Sequence, residues 1–166
     1  LPKRRSVSDI TRDECVDLLL KALFTAADED SATGGPDSMR GIYPIIATIG
    51  ADGYAAVPES EVADRFAAII ADYNVSHSRE AAGKGMWIDI NYLFSLGPQA
   101  LPAIDRAIAL RGFEPTLVSR RGCLVEQQAK ATDSWRSWGF RSWRLQRALG
   151  AQPNNTTTAN CAGREL

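Results

Sequence analysis

Histidine is almost missing from this chain, cysteine is scarce and no long apolar run occurs, and each shortage removes a class of function. The single histidine, His77, lies between Ser76 and Ser78. No hydrolase constellation can be assembled around it, so its plain reading is a surface residue. Cys15, Cys123 and Cys161 are odd in number, far apart and without C-x-x-C pairing. Neither a disulfide framework nor a zinc site is indicated, and a reducing cytoplasm is the default location. No stretch of about 18 apolar residues is present, so no spanning helix is expected. The chain opens Leu1-Pro2-Lys3-Arg4-Arg5, with neither an initiator Met nor the apolar stretch of a signal peptide. It reads as a piece of a longer product.

What is present is unevenly spread. The 166 residues are 45% apolar, enough for one domain-sized core or two small ones. The net charge of -1 divides into +3 over residues 1–12, -9 over 13–75 and +5 over 76–166. A polyanion partner calls for a clear cationic excess, so nucleic acid is not indicated. The change of sign near residue 75 suggests a boundary. The expected organisation is a basic, flexible leader over 1–10, one segment over 11–73, a helical region over 74–149 and a disordered tail over 150–166. That tail is rich in Asn and Thr and lacks periodicity.

Local patterns fill in the first segment. Thr11-Arg12-Asp13-Glu14 fits a capping box. From Cys15 to Ala27 two files of apolar residues follow at helical spacing, Cys15, Leu19, Leu23 and Ala26 beside Val16, Leu20, Phe24 and Ala27. Asp28 to Asp37 is a loop with two adjacent glycines, Gly34 and Gly35. Ile42 to Ile49 predicts a strand, Asp52-Gly53 a turn and Tyr54 to Val57 the returning strand, with Pro44 at an edge or bulge. Pro58 then opens a helix whose inner face is Val62, Phe66, Ile69, Ile70 and Tyr73. By local pattern alone, Asp28, Glu29 and Asp30 read as a solvated acidic turn and Thr33-Gly34-Gly35 as a C-cap and loop.

The run Ala26-Ala27-Asp28-Glu29-Asp30-Ser31-Ala32-Thr33-Gly34-Gly35-Pro36-Asp37, then Arg40-Gly41-Ile42-Tyr43-Pro44 and Val57-Pro58-Glu59-Ser60-Glu61-Val62, resembles the end of an actinobacterial-type proteasome β subunit. The resemblance covers residues 11–73. It implies part of an Ntn-hydrolase fold, a threonine-type endopeptidase ancestry, and proteasome α and β subunits as partners. It places Asp30, Thr33 and Gly34 in supporting roles beside an amino-terminal threonine nucleophile. An amine-activated hydroxyl needs neighbours that fix its rotamer and hold protons, which an Asp–hydroxyl pair on a rigid loop supplies. Leu1 has no side-chain hydroxyl, so the 166 residues are expected to be inert by themselves. The resemblance also allows a hard cation at the carbonyls of Ala27, Asp30 and Thr33, but no side-chain ligand cluster argues for a metal, and no cofactor is indicated.

The second region differs in kind. Ile88 to Leu96 predicts a short helix ending at Gly97, and Pro98 opens another whose inner face is Leu101, Ile104 and Ile108. Asp133 caps a further helix over Ser134 to Leu149. Trp135, Trp138, Leu145 and Leu149 share one of its sides, and Arg136, Phe140, Trp143 and Arg147 share another. The second side interleaves rings with guanidinium groups, so it suits an anionic membrane surface or stacking on nucleic-acid bases, or else is a solvated face whose arginines cover the tryptophans. Asp89 to Ala103, with Asp133 to Trp138, resembles the soluble tail of an uncharacterised bacterial multi-pass membrane-protein family. The fold class expected is α+β: a helix-strand-strand-helix segment followed by a small all-α region.

Overall fold

A computed structural model describes residues 10–30, 35–37, 40–112, 114–132 and 145. The described elements are helices with one small two-stranded sheet, an α+β arrangement. The chain divides into two compact units between Phe66 and Ala67.

In the first unit, α1 (Arg12–Glu29) starts at the expected capping box. The Glu14 N–H donates to Thr11 Oγ1 at 3.3 Å, and the Thr11 N–H donates to Glu14 Oε2 at 3.0 Å. Of its two apolar files only one finds cover. Val16 and Leu20 are buried, with Phe24 and Ala27 half-buried, whereas Cys15, Leu19, Leu23 and Ala26 are exposed. A helix buries the stripe that meets a neighbour and no more.

The strand expected over Ile42–Ile49 is shorter than the pattern suggested. The ladder comprises β1 (Ala47–Gly50) and β2 (Gly53–Ala56), with Ala47 opposite Ala56 and Gly50 opposite Gly53. Gly53 takes a φ of 94°, which closes the two-residue Ala51-Asp52 turn at little steric cost. One further bond, from the Val57 N–H to the Ile46 carbonyl at 2.8 Å, extends the pairing. It stops there because Pro44 has no N–H to offer a ladder. Ile42 pairs instead with Asp37 in an isolated bridge.

Helix α2 (Glu59–Ser76) follows Pro58, whose carbonyl accepts from the Glu61 and Val62 N–H groups. Val62 and Phe66 are buried, and Phe66 stacks on Tyr43 with ring centroids 6.1 Å apart. Between them Arg65, its side chain 5% exposed, is gripped on every side. Its Nη2 donates to Asp13 Oδ1 at 2.5 Å and to Glu61 Oε1 at 2.7 Å. Its Nη1 donates to Asp17 Oδ1 at 2.5 Å and to the Asp13 carbonyl at 3.2 Å, and its Nε to Glu61 Oε1. Burial opposes the charge, yet the carboxylates outweigh burial and hold the guanidinium more firmly protonated than usual.

The second unit begins with the last turns of α2, where Ile69, Ile70, Ala71 and Val75 are buried. Ser78 ends this run: its Oγ donates to the Val75 carbonyl and accepts from the Ala81 N–H, which starts α3 (Arg79–Ala82). Asp89 caps α4 (Ile90–Ser95) through the Tyr92 N–H at 3.0 Å. Gly97, with a φ of 77°, reverses the chain into a 3-10 turn at Pro98–Ala100 and then α5 (Leu101–Arg111). The last described helix, α6 (Pro115–Thr132), was not anticipated from the sequence. Leu93, Phe94, Leu101, Ile104, Leu117 and Leu124 form the centre of the core. Arg120 lies over the Phe94 ring at 4.2 Å and donates to Asn91 Oδ1. Arg121 pairs with Asp105, and Arg106 with Asp72. Among the described residues Cys15 is a free, exposed cysteine.

Glu80 is the polar knot of this unit. Its carboxylate, on a side chain 7% exposed, accepts from the Ile88 N–H at 3.0 Å and from Arg111 Nη2 at 2.9 Å. Burial alone would raise its pKa, but hydrogen bonds from its own and the Ile88 backbone, with Arg111, lower it below the ordinary value. A carboxylate depressed in this way stabilises the fold above its unfolded pKa of about 4.3, and the gain is lost as pH falls through the folded value. Acid titration followed by circular dichroism should therefore show Glu80→Gln less stable than the parent at neutral pH, with the gap narrowing below about pH 4.

Candidate functional site

The loop after α1 is where the supporting residues were expected, and the structure fixes both of its ends. Asp30 terminates the helix in an extended conformation, its N–H donating to the Ala26 carbonyl at 3.0 Å. Gly35 returns to the same end of α1, where a Cβ on it would stand 2.8 Å from the Cβ of Ala27. A Cβ there would collide with the helix, so glycine is required by closeness rather than by an unusual φ. Thr33 and Gly34 lie outside the described residues, as do Ser31 and Ala32.

Beyond Gly35 the chain is tied down again. The Asp37 and Ile42 backbones exchange two hydrogen bonds of 2.9 Å each, and Asp37 Oδ1 accepts from the Arg40 N–H at 3.0 Å. The side chain of Asp37 also pairs with Arg40 Nε at 3.5 Å. Asp30 is thus held at a helix terminus and Asp37 in a backbone bridge.

His77 is exposed, stacked on Tyr73 with centroids 4.0 Å apart, and its Nδ1 lies 3.0 Å from the Tyr73 carbonyl. It faces its own helix, and the Ser76 hydroxyl also lies 3.0 Å from the same Nδ1. Among the described residues no group of three or more His, Cys, Asp or Glu residues could hold a metal. No helix among them is long and apolar enough to cross a membrane. Arg136, Phe140, Trp143 and Arg147, the proposed surface-binding face, lie outside the described residues. So do residues 1–9 of the leader, the tail and the helix expected over Ser134 to Leu149, except Leu145, which is helical and buried.

The residue that sequence reasoning missed is Arg65. Its signal was available: Asp13 and Asp17 are spaced by four on α1, and Glu61 and Arg65 by four on α2, so an acidic pair and a mixed pair each share one helical face. Nothing local said that the two faces meet.

Part of the chain is similar to actinobacterial proteasome β subunits. It is 47% identical to the proteasome subunit beta of Frankia alni over 74 residues, 45% of this chain and 27% of that protein. With the proteasome subunit beta of Mycobacterium avium it shares 54% identity over 55 residues, 33% of this chain and 18% of that protein. With the proteasome subunit beta 2 of Thermomonospora curvata it shares 50% identity over 56 residues, 34% and 20% of the two chains. The chain spans only about a quarter or less of the length of these relatives. No family model matches the chain. No solved structure matches it.

Proposed function

We propose that residues 11–73 are the carboxy-terminal segment of a proteasome β-type Ntn-hydrolase fold, derived from the threonine-type endopeptidase of a self-compartmentalising protease. In this reading Asp30, Thr33 and Gly34 support a nucleophile supplied from outside the segment, and the partners are proteasome α and β subunits in the cytoplasm. The observation that carries it is the 47% identity over 74 residues with a proteasome β subunit. The flanking geometry supports it: Asp30 ends α1 on the Ala26 carbonyl, and Gly35 packs against Ala27 of the same helix.

Unfinished surfaces agree with a segment of a larger body. Leu18, Leu19 and Leu23 on α1, and Ile45, Ile49 and Tyr54 around the hairpin, are exposed, Ile45 at 97%. A two-stranded hairpin is marginal in water without further strands or a covering helix. In the alternative reading, residues 74–149 form a helical interaction module that lies on a membrane through Arg136, Phe140, Trp143 and Arg147. No observation favours that face, which falls outside the described residues.

The 166-residue chain should give no covalent adduct with a threonine-directed epoxyketone, read by intact mass. An adduct would overturn the proposed division of labour. A chimera of the Frankia alni subunit in which residues 11–73 replace the matching segment should assemble and label. Failure of the chimera, beside a parent that assembles, would overturn the ancestry reading.

A further inference from the structure

Unit 2 covers its apolar side chains well, with a local exception. Among its described residues the large exposed apolar side chains are Met86, Trp87 and Leu110. Met86 and Trp87 are consecutive, 84% and 64% exposed, on the loop between α3 and α4. A slack loop could leave such residues outside by accident. This loop is not slack.

It is pinned at several points. Gly83 closes α3 in the left-handed region. Gly85, at a φ of 94°, passes so close to the His77 carbonyl that a Cβ would stand 2.9 Å from that oxygen. The Arg79 N–H donates to the Met86 carbonyl at 2.8 Å. The Ile88 N–H is held by the Glu80 carboxylate, and Arg111 both pairs with Glu80 and donates to the Ile88 carbonyl. Two bulky apolar side chains are therefore presented to water on a rigid frame.

The accessible charges over residues 79–88 are cationic, and the exposed carboxylate of Asp89 follows them. Over residues 79–88 the ionisable groups are Arg79, Glu80 and Lys84. Glu80 is withdrawn and neutralised by Arg111, which leaves Arg79, 5.2 Å from the centroid of the Trp87 ring, and Lys84. Just beyond, Asp89 is engaged in capping α4. Unlike the last helix, this cationic-aromatic element lies wholly within the described residues.

We infer that the Met86–Trp87 loop is an interfacial anchor for an anionic lipid surface. Met86 and Trp87 enter the boundary between headgroups and acyl chains, and Arg79 and Lys84 remain among the anionic headgroups. Tryptophan suits that boundary because its ring is apolar and its N–H polar. Long basic side chains bury their stems there and keep the charge in water. Met, Trp and Arg also recur at protein interfaces, where Lys is depleted, so self-association is one outcome of the test. An anchor of this size binds weakly and reversibly. The inference is independent of the proteasome reading.

The test is sedimentation of the full chain with phosphatidylcholine vesicles that contain or lack phosphatidylserine. Binding should appear with phosphatidylserine and weaken with salt. Trp87→Ala should lower it about tenfold, and Lys84→Glu at least fivefold on the anionic vesicles alone. Because the Trp87 side chain is exposed, the variant should keep the parent circular dichroism, and Met86→Ser provides a second, smaller loss. Absence of binding to either vesicle would overturn the inference. So would binding abolished by Trp143→Ala but indifferent to Trp87→Ala and Met86→Ser. Self-association that Trp87→Ala abolishes, without vesicle binding, would assign the loop to contacts between copies and also overturn it.

Discussion

Arg65→Met should destabilise the first unit by about 3 kcal/mol, because it takes the buried guanidinium from Asp13, Asp17 and Glu61 and leaves only Arg12, 3.3 Å from Asp13 and 3.4 Å from Glu61, to offset them. The magnitude follows from the geometry. The guanidinium donates to the carboxylates of Asp13, Asp17 and Glu61 and to the Asp13 carbonyl, and methionine can satisfy none of them. Hydrogen exchange should report the loss in the amides of α1 and of the early turns of α2. The cluster also makes a sharper prediction. Combining Arg65→Met with Asp13→Asn, Asp17→Asn and Glu61→Gln should recover a large share of the stability, since most of the cost belongs to stranded charges and not to a lost attraction. If the single variant costs under about 1 kcal/mol, in the range of an exposed ion pair, the cluster is a surface feature and α1 is held by Val16 and Leu20 alone.

Phe94→Ala should cost the second unit about 3–5 kcal/mol. Phe94 is among the largest fully buried side chains and sits with Leu93, Leu101 and Ile104 in one core. Truncation removes its transfer energy and leaves a cavity that neighbouring helices cannot close without repacking. It also strips Arg120 of the ring beneath it. Arg120→Met keeps most of the stem packing and should cost about 1 kcal/mol or less. Urea unfolding at unchanged m-value separates the two. A Phe94 variant no worse than the Arg120 variant would mean that the ring is not a core residue.

Local chemistry was legible and tertiary pairing was not. Thr11 and Glu14 announced α1, Asp52-Gly53 the hairpin turn, and Gly97-Pro98 the break between α4 and α5, because each signal acts within a few residues. Helix α6 left little to read. Its buried positions Leu117, Leu124 and Gln128, with the half-exposed Arg121 paired to Asp105, alternate apolar and polar at one face, so no clean apolar stripe appears until the partner groups are seen. The exposed half of the α1 stripe is the reverse case, a pattern written for more neighbours than the described residues supply. Of the site, Asp30 is placed at the end of α1, while the positions of Thr33 and Gly34 were available only through resemblance.

The hairpin carries a consequence for handling the chain. Among the described residues no third strand joins β1 and β2, and neither strand contains a charged residue. Lysines, bulges and inward charges are the usual guards against strand-to-strand association between molecules. Here only Pro44 and Pro58, flanking the ladder, serve that purpose. Freshly made chains therefore carry an adhesive edge, and their solubility at high concentration should depend on how soon another backbone, or a solvating substitution such as Ile49→Lys, occupies or blunts it.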